Sequence, residues 1–141
     1  MRPLALDDFP FRAFDKLRYS DTDRQGHVNN AVFSTFLETG RTSMLYDKSA
    51  PVVEPGTAFV LARLALDYRA ELHWPGEVWI GTGVLEVGRS SVKLEQALFQ
   101  DGKLCANAET VIVMVDTSTR RSRPLPDATA ERLRTFIRPK D

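Results

Sequence analysis

The chain carries one stretch of helical periodicity followed by almost continuous strand patterning, and that order leaves few folds open. From Asn30 the apolar residues Phe33, Phe36, Leu37, Gly40, Met44 and Leu45 share one face, while Ser34, Glu38, Arg41 and Thr42 lean elsewhere. Asn29 or Asn30 suits the N-cap, because a side-chain oxygen there can accept an unpaired first-turn N–H. A glycine inside a helix costs about 1 kcal/mol, so Gly40 predicts close packing of this face on a sheet. Pro51 and Pro55-Gly56 then mark a loop.

Beyond that loop the period is two. Val60, Ala62, Leu64, Leu66 and Tyr68 alternate with Leu61, Arg63, Ala65, Asp67 and Arg69, which predicts a long half-buried strand. After a turn at Trp74-Pro75-Gly76, Val78, Ile80, Thr82 and Val84 begin a second strand that closes near Gly88. Val92, Leu94, Gln96 and Leu98 make a third. Asp101-Gly102 is a strong two-residue hairpin signal, and a fourth strand runs from Leu104 to Val115. Before the helix, residues Phe14 to Tyr19 predict a short strand entering a polar loop, and Asp127 is placed to cap a short C-terminal helix through Phe136. The expectation is one α+β domain over residues 1–141, its four later strands in hairpin succession and the helix on one face of an antiparallel sheet.

Composition narrows the function. The 19 Lys and Arg balance the 19 Asp and Glu, so the surplus of positive charge that a polyanion needs is missing and nucleic acid is disfavoured as a partner. No apolar run approaches the roughly 20 residues that cross a bilayer. The opening residues turn acidic at Asp7-Asp8, too soon for a secretory leader, so a cytoplasmic protein is expected. Cys105 is the only cysteine, which excludes an internal disulfide and a cysteine-rich zinc site and fits a reducing compartment.

Chemistry concentrates in Asp21-Thr22-Asp23-Arg24-Gln25-Gly26-His27-Val28-Asn29-Asn30, directly before the helix. A calcium loop fits Asp21, Asp23, Gln25 and Gly26 at its first, third, fifth and sixth positions. Its twelfth position is Val32 rather than the closing glutamate, which excludes that reading. A purely structural loop with an Asx-turn and an N-cap is possible. So is a catalytic loop, in which a carboxylate at the positive end of a helix acts as base or nucleophile and free N–H groups polarise a carbonyl. Asp21 is read as turning the loop.

The run Asp-Thr-Asp-x-x-Gly-His-Val-Asn-Asn, followed by Phe33, Phe36-Leu37-Glu38 and Arg41, resembles the acyl-CoA thioesterases of the hotdog fold, within the 4-hydroxybenzoyl-CoA thioesterase-like group. The likeness continues through Leu66-Asp67-Tyr68-Arg69, Pro75-Gly76-Glu77 and Gly88-Arg89-Ser90-Ser91, covering roughly residues 14 to 126. It implies a sheet wrapped around the helix, a homodimer or homotetramer with sites between subunits, and hydrolysis of an acyl-CoA or acyl-carrier-protein thioester. By the same resemblance Asp23 is the catalytic carboxylate and the N–H near Asn30 polarises the thioester carbonyl. Arg89, Ser90 and Ser91 meet the coenzyme A portion of the substrate. The His-Val-Asn-Asn version looks more like fatty-acyl thioesterases, in which His27 is functional and Gln25 stands where that branch has an Asn.

The chemistry implied needs no metal and no cofactor beyond the coenzyme A of the substrate. Glu38 shares a face with the helix start and is a candidate substrate-binding residue, its plainer reading being a pair with Arg41. His73 lacks an acid partner in sequence and is assigned to a turn. Arg120, Arg121 and Arg123 are read as a solvated connection, and Cys105 as a buried, inert thiol. No Gly-x-Ser-x-Gly elbow occurs. Two rivals stay open: a non-catalytic acyl-CoA-binding module on the same fold, and a dehydratase that pairs His27 with Asp23 or Glu38.

Overall fold

The computed structural model describes residues 3–138. Five strands form one antiparallel sheet: β1 (Phe11–Lys16), β2 (Thr57–Tyr68), β3 (Glu77–Val87), β4 (Ser91–Gln100) and β5 (Lys103–Asp116), in the order β1-β3-β4-β5-β2. Helix α1 (Asn30–Leu45) crosses one face, and α2 (Asp127–Arg134) follows the last strand. The expected α+β architecture is therefore present.

Burial along β4 alternates up to Gln96 and then becomes continuous, as Phe9 covers Ala97 and Phe99 from the other face. Val92, Leu94 and Leu98 are fully buried and face the helix side with Ile80 and Ala106, meeting Phe33, Phe36 and Leu37 at one end of α1 and Met44 and Leu45 at the other. Each large apolar side chain buried this way contributes about 1.5–3 kcal/mol. Gly40 has the role its cost implied. A Cβ there would overlap Ile80 Cγ2 and stand 3.0 Å from Gln96 Nε2 and 3.1 Å from Thr82 Oγ1. The helix backbone thus rests directly on β3 and β4. The Asp101-Gly102 turn also holds, with φ of 51° and 78°.

Several expectations change. The four later strands are not a hairpin succession: β3, β4 and β5 are, but β2 pairs with β5 at the far edge, so residues 69–76 cross the end of the sheet to reach β3. An eight-residue strap can bridge strands that are not neighbours, whereas a two-residue turn cannot. β2 is less buried than its alternation predicts, because it is an edge strand; Val60 and Leu61 are exposed, and a bulge interrupts its pairing between Leu61 and Arg63. The first strand starts and ends earlier than expected, and Tyr19–Asp21 is a 3₁₀ turn. Pro126 holds the cap position of α2, so Asp127 is its first helical residue and the helix stops at Arg134.

Arg41 departs most from expectation. It is buried, and its guanidinium donates to Gln96 Oε1 at 3.3 Å. Burial pushes its pKa down, and the nearby negative charge of Glu38 offsets part of that push. Gln96 donates from Nε2 to Leu37 O at 2.9 Å and to Thr82 Oγ1 at 3.0 Å. A polar network therefore ties the underside of α1 to the sheet.

Candidate active site

The loop before α1 is organised by its own side chains. Asp21 Oδ2 accepts from Arg18 N at 2.9 Å and Asp21 O accepts from Asn29 N at 2.8 Å, so Asp21 shapes the loop as the sequence suggested. Asp23 N donates to His27 O at 2.8 Å, and Asp23 Oδ1 accepts from Gln25 N at 2.9 Å in an Asx-turn. Gly26 completes the turn with φ of +85°, a region that suits glycine. Of the two candidates for the N-cap, Asn29 fills it, accepting from Ala31 N at 2.9 Å.

Two hydrogen bonds, one of them from a side chain, then border a cavity of about 830 Å³ at the start of α1. Val28 N donates to Leu72 O at 3.0 Å, which fastens the loop to the strap of residues 69–76. Tyr68 Oη donates to Asn30 O at 2.9 Å, and its ring packs edge-on against Phe33. Asp23, Gln25, His27 and Asn30 all line this cavity. Among the described residues no donor meets Asp23 Oδ2 and no acceptor takes Asn30 N–H. A half-buried carboxylate oxygen and an unspent first-turn N–H thus border the same space, the positive end of the helix dipole beside them.

His27 turns toward the strap. Its Nε2 lies 3.1 Å from Glu71 Oε2, while its side chain bonds neither Asp23 nor Glu38, so the pairing a dehydratase was expected to use is not formed. His73 Nε2 is 3.5 Å from the same Glu71 oxygen, which corrects its assignment as a turn residue without an acid. Sequence reasoning missed Glu71. The available signal was Glu71-Leu72-His73 itself, one apolar residue, here fully buried, between two polar residues that stay exposed.

Glu38, Arg89, Ser90 and Ser91 do not line the cavity. Glu38 is exposed on α1 and forms no ion pair within 4 Å of Arg41. Ser91 opens β4, whereas Gln100, at its other end, lines the cavity; about 30 Å of strand separates them. The turn holding Arg89 and Ser90 is fixed by its backbone: Ser91 O accepts from Gly88 N and Ser90 O from Met114 N, both at 2.8 Å.

Residues 17–133 match the family model described as the Thioesterase-like superfamily. The chain belongs to that superfamily. It is 30% identical over 121 residues to the acyl-CoA thioester hydrolase YbgC of Escherichia coli, covering 82% of this chain and 90% of the relative. A Thermus thermophilus thioesterase, solved in complex with coenzyme A and Zn, is 33% identical with a TM-score of 0.79, over 95% of this chain and 99% of that one. A Pseudomonas aeruginosa structure at 24% identity and TM-score 0.87, covering 97% and 98% of the two chains, shares the fold. The protein is a thioester hydrolase of the hotdog fold, and no helix among its described residues is long and apolar enough to cross a membrane.

The cysteine of this thioesterase-like chain sits in the cavity wall and is buried. Burial pushes its thiol pKa up, which disfavours the reactive thiolate. Alkylation of Cys105 by iodoacetamide is expected to run more than about tenfold slower in the native protein than in urea, followed by intact mass. Equal rates in both states would contradict the buried placement.

Proposed function

We propose that the chain hydrolyses acyl-CoA thioesters, with Asp23 as general base or nucleophile and Asn30 N–H polarising the carbonyl. One observation carries this reading: a carboxylate oxygen without a donor and a helix-start N–H without an acceptor line one cavity. A thioester carbonyl is already electrophilic, so a placed carboxylate and an N–H dipole suffice as chemistry. The cavity volume is in the range that accommodates a drug-sized ligand. Gln25 borders the acyl entrance, and its N–H holds Asp23 in place. In this reading His27 orients bound substrate from where the loop meets the strap.

The substrate's coenzyme A portion is assigned to Arg89, Ser90 and Ser91 of a neighbouring copy, since within one chain these residues lie at the far end of β4. A homodimer or homotetramer supplies that arrangement. The unpaired outer edge of β2, with Val60 and Leu61 exposed, supports self-association.

Free-thiol release across acyl-CoA esters of graded chain length tests the proposal. Turnover is expected with at least one length class, and sedimentation of the same sample is expected to show a dimer or larger. A purified, folded protein that binds acyl-CoA but releases no thiol from any of them would favour the binding-module alternative.

A further inference from the structure

The strap and the loop before α1 bring together three groups, of which the hydrolysis proposed for Asp23 employs only His27. The hydrogen bond from Val28 N to Leu72 O zips the two segments, so the residues flanking it, His27 on one side and Glu71 and His73 on the other, emerge next to each other. Their donor atoms lie within 4.8 Å of one another. The backbone beneath them is fixed: Gln100 accepts from His73 N at 2.9 Å and donates to His73 O at 2.7 Å, while Cys105 Sγ lies 3.7 Å from Glu71 O.

As ion pairs these contacts do little for stability. The side chains of Glu71 and His73 are 58% and 59% exposed, and exposed pairs contribute about 0–1 kcal/mol. Their geometry suits another purpose. Ligand atoms about 2.0–2.1 Å from a tetrahedral ion stand about 3.4 Å apart. The two observed edges are 3.1 Å and 3.5 Å, and the third needs to close by at most about 1.4 Å, within reach of rotating two imidazole rings.

We infer that His27, Glu71 and His73 form a binding site for a divalent transition-metal ion of the zinc class. Two imidazole nitrogens and one carboxylate oxygen are a borderline donor set, matched to zinc and poor for calcium or magnesium, which take mostly oxygens. Three protein ligands leave a fourth position open, and all three residues line the cavity that Asp23 and Asn30 share. The inference shares His27 with the hydrolase reading but is tested apart from it, because occupancy of the site is read without substrate.

Metal-stripped full-length protein dialysed against Zn²⁺ tests it, with Co²⁺ as a spectroscopic substitute. The expected result is one zinc per chain and the intense visible absorption of four- or five-coordinate cobalt. His73→Ala, and separately the near-isosteric Glu71→Gln, should each weaken zinc binding at least about tenfold, with circular dichroism confirming the fold. If His73→Ala does not fold, Glu71→Gln decides the question. The inference is overturned if wild-type protein takes up no zinc, if the folded variants bind as tightly as wild type, or if magnesium binds as well as zinc.

Discussion

Asp23→Asn is expected to lower kcat/KM for acyl-CoA hydrolysis by about 10²–10⁴-fold, the usual worth of a placed proton-transfer group. The variant is a clean probe because asparagine keeps an oxygen that can accept from Gln25 N, so the Asx-turn and the loop survive. What it removes is the basicity of the atom facing the cavity. Substrate affinity should therefore change little, and the loss should fall on kcat. Single-turnover thiol release with binding measured in parallel separates the two. A variant that keeps more than about a tenth of wild-type turnover would remove Asp23 from the chemistry and leave the loop with a structural role.

Gly40→Ala should cost about 1–3 kcal/mol of stability and lower Tm by roughly 5–10 °C, although alanine is the better helix former by about 1 kcal/mol. The added methyl meets Ile80 and Gln96, and neither can yield. Ile80 is fully buried, and Gln96 is held by Leu37 O, Thr82 and Arg41. The helix must lift from the sheet, carrying Asn30 with it. Thr42→Ala, on the solvent face of the same helix, should change stability by less than about 0.5 kcal/mol. Thermal melts of the pair decide the matter. A Gly40→Ala protein that melts at or above wild type would show that the helix does not rest on the sheet as closely as described.

Local patterns in the sequence carried the elements well where one face was fully buried. The inward faces of α1 and β5 and of the first half of β4 follow directly from spacing, whereas Ile80–Val84 of β3 and Gln96–Gln100 of β4 are buried on both faces, the second covered in part by Phe9. β2 misled because alternation reports a capacity for burial, while an edge position decides how much occurs. Arg41 misled because a long side chain can turn inward when a partner such as Gln96 waits there, and that partner lies 55 residues away. The polar loop before α1 was legible as a cluster because its residues are contiguous. The trio of His27, Glu71 and His73 was not, since its two parts are 44 residues apart and meet through one backbone hydrogen bond.

The placement of β2 also governs when such a cavity can come into being. Its pairing joins Tyr68 to Ala106 and Thr57 to Asp116, whereas the β3–β4–β5 meander closes through short turns. Bringing distant segments together costs chain entropy that neighbouring strands escape, so both edges of the sheet, β2 on β5 and β1 on β3, close at a greater cost than the meander between them. The strap begins where β2 ends. A nascent chain therefore cannot complete the cavity at the start of α1 until β5 has been made and holds β2, with the strap that follows it, in place.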